Sequence, residues 1–123
     1  MLTTDKHLLY VDDESALVSL SVRGLRQLGY RVTGFSDPQQ ALASFKAEPQ
    51  VYDAVITDLA MPKLSGLSLA NEVKSLRHVP VIAMSGFVSK EDRERCDACG
   101  IQEVLAKPFT LDHLKKALER LFA

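Results

Sequence analysis

Five times along this chain a short apolar run gives way to a stretch whose apolar residues recur at helical spacing. The runs are Leu8-Leu9-Tyr10-Val11, Arg31 to Phe35, Ala54-Val55-Ile56-Thr57, Val81-Ile82-Ala83-Met84 and Glu103 to Ala106. Most lack the in-out alternation of a half-buried strand, so they read as strands covered on both faces. The first helical segment carries Leu17, Leu20, Gly24/Leu25 and Leu28 as its stripe and stops at Gly29. The second opens on Asp37-Pro38, an N-cap followed by proline at the first helical position, with Ala41, Leu42 and Phe45 inward and Pro49 beyond its end. Leu69, Val73 and Leu76 stripe the third. Ser89, with Asp92 three residues on, caps a polar fourth reaching about Cys99. Thr110 caps the last, striped by Leu111, Leu114, Leu118 and Leu121. Five strand-helix units in succession predict an α/β fold, a parallel sheet with helices on both faces. No linker, repeat or low-complexity stretch interrupts it, so residues 1–123 are expected to form a single domain.

Composition narrows the function. With 15 Lys+Arg against 16 Asp+Glu the net charge is −1, which gives no general attraction to nucleic acid or to anionic lipid. Hydrophobic residues make up 46% of the chain, too many for a disordered tail. The longest apolar run, Val79 to Met84 around Pro80, is far short of the roughly 20 residues of a membrane span. The first residues lack the apolar stretch of a signal peptide, and a cytoplasmic location is expected. Cys96 and Cys99 close a helical segment rather than open one, and no further His or Cys pair stands at zinc-ligand spacing. They are expected to be two small, mostly buried helix residues.

In open parallel sheets, ligands bind beyond the carboxyl ends of the strands. The first strand delivers Asp12 and Asp13 there, the third Asp58, the fourth Ser85 and the fifth Lys107. A lone aspartate at a strand end is more often a cap or a turn residue. Here the strand ends are chemically complementary. Three close carboxylates repel unless a cation joins them, and an all-oxygen set suits a hard ion such as Mg²⁺. Lys107 and Ser85 would hold phosphoryl oxygens, and a carboxylate can accept phosphate as an acyl phosphate.

The set Val11-Asp12-Asp13-Glu14, Asp58-Leu59-Ala60-Met61-Pro62 with Gly66, Met84-Ser85-Gly86 and Lys107-Pro108-Phe109 resembles the receiver domain of two-component response regulators (CheY-like), in order and spacing across essentially the whole chain. The resemblance implies a doubly wound, flavodoxin-like five-stranded sheet in order 2-1-3-4-5. It implies Asp58 as phosphoacceptor, Asp13 as direct Mg²⁺ ligand with Asp12 assisting through water, and the Ala60 backbone carbonyl as a further metal oxygen. Ser85 takes the switch hydroxyl position, and Lys107 pairs with the phosphoryl group. The implied donor is a histidine kinase or a histidine phosphotransfer domain. The implied product is a phosphoaspartate that the domain helps to form and to hydrolyse, a signalling role rather than that of a metabolic enzyme. A cis Lys107-Pro108 bond is expected. Output would pass to a downstream protein partner, and a weak homodimer is compatible with the pattern. Nothing points to direct nucleic-acid or membrane binding.

Two departures stand out. The aromatic residue common three positions before the lysine is replaced by Val104, which is stiff at χ1 and cannot swing as a ring. Ala60 and Phe87, which border the path of the hydrolytic water in this family, are both apolar. A flavodoxin would need a phosphate cradle where Asp12-Asp13-Glu14 stands, and a haloacid dehalogenase-type phosphatase a second Asp at Ala60. The remaining alternative is a receiver used as a phosphorylation-independent interaction module. A stand-alone regulator and a receiver cut from a larger protein, such as a hybrid histidine kinase, both fit the sequence.

Overall fold

A computed structural model describes residues 5–86 and 89–123. The elements alternate without exception: β1 (His7–Val11), α1 (Ser15–Gln27), β2 (Arg31–Phe35), α2 (Pro38–Ala47), β3 (Ala54–Asp58), α3 (Gly66–Leu76), β4 (Val81–Ser85), α4 (Lys90–Ala98), β5 (Glu103–Ala106) and α5 (Leu111–Phe122). The strands form one parallel sheet in the expected order, β2-β1-β3-β4-β5. The register sets Tyr10 beside Ile56, Asp58 beside Met84 and Ser85 beside Ala106.

Side chains alternate across each strand and so feed two cores. Leu8, Tyr10, Ile56, Ile82 and Met84 face α1 and α5, where Val22, Leu25, Leu114 and Leu118 meet them. Leu9, Val11, Val55, Val81 and Ala83 face the other side and pack with Phe45, Leu69, Val73 and Cys96. The central strands β3 and β4 are buried along their whole length, whereas the edge strands β2 and β5 are only partly covered.

The predicted caps are present. Asp37 accepts the Gln39 backbone N–H at 2.8 Å, and Gly29 ends the first helical unit at φ 101°. Ser89 and Asp92 close a reciprocal capping box on α4. Thr110 closes another on α5, with His113 as its second member, a partner the sequence reading had not singled out.

The α1 stripe requires correction. Leu25 is buried as expected, but its buried partners are Val18 and Val22 rather than Leu17, Leu20 and Leu28; Leu17 and Leu28 are half-buried and Leu20 is 66% exposed. Both sets repeat at three and four residues, so spacing alone could not choose between them. The sheet chooses, because Gly34 of β2 leaves space that the Val18 and Val22 side chains occupy. Leu76 and Leu111, placed on inward stripes by the sequence, are also exposed. Each is a terminal residue of its helix.

Candidate functional site

Each predicted polar residue sits at the C-terminal edge of the sheet because its strand ends there. Asp12 follows β1 directly and is fully buried; one carboxylate oxygen accepts the Glu14 backbone N–H at 3.0 Å. Asp13, one residue on, is exposed. Asp58 and Ser85 are the last residues of β3 and β4, and both are buried. Lys107 follows β5, its backbone N–H donating to the Ser85 carbonyl at 2.7 Å, and its bond to Pro108 is cis as expected.

Carboxylate oxygens of Asp12, Asp13 and Asp58 lie within 4.8 Å of one another. The Lys107 ammonium donates to Asp12 at 2.7 Å and to Asp58 at 3.3 Å, so one cation is shared between two buried acids. Burial pushes the Asp58 carboxyl above its ordinary range. The Lys107 charge opposes that rise, Asp12 adds to it, and the Ala60 backbone amide helps hold it down. Burial disfavours the Lys107 ammonium, but hydrogen bonding and charge from Asp12 and Asp58 outweigh it and raise its pKa. Three carboxylates against one ammonium leave a local excess of negative charge. A purely oxygen donor set of that sign fits a hard divalent cation.

The loop after β3 is held tightly. The Gly66 N–H donates to the Leu59 carbonyl at 3.0 Å, and a Cβ built at Gly66 would stand 2.1 Å from the Asp58 carbonyl oxygen. Only glycine lets α3 approach the acidic strand end so closely. Ala60 is exposed on this loop. Phe87, the other apolar residue expected beside the site, lies outside the described residues. Val104 is half-buried in β5 and packs against the core shared with α2, α3 and α4, as a strand residue would.

One feature was hidden from sequence reasoning. A groove of about 560 Å³ runs between α1 and α5, lined by Tyr10, Leu17, Leu20, Gly24, Phe109 and Leu111, and reaches Lys107. Leu17, Leu20 and Leu111, three of the leucines expected on inward stripes, are among its walls. Their exposure beside the polar site, rather than their spacing, is the signal. Tyr10 closes the groove floor, its hydroxyl donating to the Met84 sulfur at 3.3 Å.

The fold and this edge together define a signalling domain built around an acidic pocket suited to Mg²⁺ and to a phosphoacceptor aspartate. The chain belongs to the response regulator receiver domain family, whose description matches residues 8–119. It is 35% identical over 115 residues to the transcription factor SKN7 of Saccharomyces cerevisiae, covering 93% of this chain and 18% of that protein. It is likewise 35% identical over 115 residues to the sensor protein EvgS of Escherichia coli, covering 93% of this chain and 9% of that protein. The chain thus spans a small part of these relatives. Among solved structures it resembles the receiver domain of sensor histidine kinase PA1611 from Pseudomonas aeruginosa, described with a magnesium ion coordinated in the active site cleft. That likeness has a TM-score of 0.81 and 37% identity, and covers 95% of this chain and 97% of that one. The chemotaxis protein CheY4 of Vibrio cholerae superposes with a TM-score of 0.88 at 27% identity, over 95% and 98% of the two chains.

Proposed function

We propose that this receiver accepts a phosphoryl group on Asp58 from the phosphohistidine of a histidine kinase or a histidine phosphotransfer domain. The observation that carries the reading is Asp58 itself, a buried carboxylate ending the central strand, with an ammonium 3.3 Å away and two further carboxylates beside it. An Asp58 carboxylate oxygen attacks phosphorus, the phosphorus–nitrogen bond breaks, and the imidazole leaves. Lys107 is already aimed at the acceptor and moves from carboxylate to phosphoryl oxygen as charge shifts outward. Ser85, on the neighbouring strand end, donates its hydroxyl to a second phosphoryl oxygen. Mg²⁺ held by Asp13, Asp58 and the Ala60 carbonyl, with Asp12 assisting through water, would neutralise the remaining phosphoryl charge. The catalysis is positioning and charge compensation, and the same residues serve hydrolysis of the product.

The groove borders Lys107, so a protein presenting phosphohistidine at Asp58 has an apolar surface to rest on at Leu20 and Leu111. No described helix is long and apolar enough to cross a membrane. A cytoplasmic location, residues 1–123 acting as one unit, a downstream protein partner and a weak homodimer belong to the same reading. Val104 in place of an aromatic ring favours output through the segment after Ser85 over a ring swing at β5. It is also the observation behind the second reading, an interaction module indifferent to phosphorylation.

Incubation with a small phosphodonor and Mg²⁺, followed by intact mass measurement, tests the proposal. Wild type should gain one phosphoryl group, and Asp58→Asn none. Equal labelling of the two would refute Asp58 as acceptor.

A further inference from the structure

The groove between α1 and α5 holds about 560 Å³, within the roughly 300–1,000 Å³ of small-molecule sites. Its walls are apolar and in part uncovered, with Leu20 of α1 and Leu111 of α5 exposed and Phe109 half-buried. Its floor is fixed, because Tyr10 is buried and hydrogen-bonded to Met84. Gly24 keeps the α1 wall low: a Cβ there would stand 3.1 Å from both methyl carbons of Leu111. Apolar surface gathered in one concavity gains when an apolar body displaces its water. The charged side chains lining the groove are Arg23 and Lys107, both cations, and no carboxylate lines it. The Lys107 ammonium is already held by Asp12 and Asp58. Arg23 is exposed and has no ion pair among the described residues. Gln27 lines the groove one helical turn further on, so a guanidinium and a side-chain amide can donate to one acceptor.

We propose that this groove binds a medium-chain alkyl carboxylate, its head on Arg23 and its chain along Leu20, Leu111 and Phe109. The orientation follows from charge. At the Lys107 end three carboxylates outweigh one ammonium, which repels an anion. Helix α1 starts at that end, and Arg23 and Gln27 lie in its second half, away from the acids. A guanidinium takes a carboxylate through two parallel N–H donors, a fit that a cationic or neutral head cannot make. Leu17 and Arg23 are about 9 Å apart along the helix axis, which suits a chain of about eight to ten carbons. The bound chain covers Leu20 and Leu111, where the protein donor is proposed to rest, and so slows transfer from that donor. This consequence rests on the proposed function, whereas the binding itself does not.

The experiment adds decanoate, below its micelle concentration, to the full chain and follows backbone amide shifts. No phosphodonor is present, so the result stands apart from the assignment of Asp58. Shifts should saturate at one decanoate per chain and cluster in α1, α5 and Phe109. Octanoate, two methylenes shorter, should bind roughly tenfold more weakly. Arg23→Met, which keeps the stem and removes the charge, should weaken decanoate roughly fivefold. Decyltrimethylammonium, with the same tail and the opposite charge, should not saturate. Missing saturation with decanoate, equal binding of the cationic probe, or undiminished affinity in Arg23→Met would overturn the proposal. So would shifts of the same residues on concentrating the protein alone, which would assign the groove to a second copy of the chain. Missing saturation together with slowed protein-donor transfer in Leu20→Glu would leave the groove to the donor.

Discussion

Replacing Asp13 by asparagine should make the metal-free protein more stable, although the residue belongs to the proposed metal site. Asp12 and Asp58 each share the Lys107 ammonium, so Asp13 contributes the charge that this cation does not directly contact. Its carboxylate lies within 4.8 Å of both neighbours. At that separation two unit charges repel by about 3.5 kcal/mol at an effective dielectric constant near 20, and by about 0.9 kcal/mol in water. Asp13 is exposed, so the water limit and salt screening govern. Two such pairs then give a gain of about 1–2 kcal/mol. For a chain of this size each kcal/mol moves the melting temperature by about 3–6 °C. Asp12→Ala removes the same charge but should lower the melting temperature. It breaks a 2.7 Å contact to Lys107 inside the protein and leaves the Glu14 N–H without its acceptor. Thermal melts of wild type and both variants in chelator, and again in millimolar Mg²⁺, provide the assay. Mg²⁺ should stabilise wild type, and Asp13→Asn should lose that response. An unchanged or lower melting temperature for Asp13→Asn in chelator, or an undiminished response to Mg²⁺, would refute the reasoning.

Four further outcomes are expected. Burial lowers the His7 pKa, with Arg31 adding to the effect and Asp53 opposing it. The unfolded chain thus binds the proton more readily, and His7 costs stability as pH falls through its unfolded value of about 6.5. Melts across that range should flatten in His7→Gln. Asp58 has the opposite sign: its raised pKa makes protonation favour the folded state, and that contribution is lost as pH rises above its folded pKa. Phosphoryl loss should accelerate about tenfold, or about 1.4 kcal/mol of barrier, when Ala60→Asn and Phe87→Glu together supply groups that orient water. Phe87→Ala separates ring cover from missing polarity, and decay unchanged in both variants would assign the lifetime to Lys107 and the metal. Leu20→Glu should slow phosphorylation by a protein donor several-fold while leaving the small-phosphodonor rate unaltered; equal slowing of both would show that the groove does not seat the donor.

The strand ends were legible because a parallel sheet permits few arrangements. Once five strand-helix units are recognised, Asp12, Asp58, Ser85 and Lys107 must share an edge. The inequality within that edge was not legible. Asp12 and Asp13 are adjacent in sequence and identical in chemistry, yet one is sealed and the other is open, because successive residues leave a strand in opposite directions. The buried face of α1 was ambiguous for a related reason. The buried Val18, Val22 and Leu25 and the expected Leu17, Leu20, Gly24/Leu25 and Leu28 both repeat at three and four residues and share Leu25, and the space above Gly34 brings in the two valines. Sharing of Lys107 by two acids depends on where a flexible four-carbon stem comes to rest, which no spacing rule encodes.

The Leu59 carbonyl and the Gly66 N–H meet at 3.0 Å, so the segment between them is a closed ring hung from the sheet rather than a slack tether. Its two ends are pinned whatever its length. Extra residues inserted near Met61 or Lys63 would enlarge the ring into solvent without pushing α3 or Asp58 apart. A side chain at position 66 would do the reverse, prising the helix from the strand with the loop length unchanged. Diversity in this receiver's surface can therefore accumulate within the ring, while its clasp admits none.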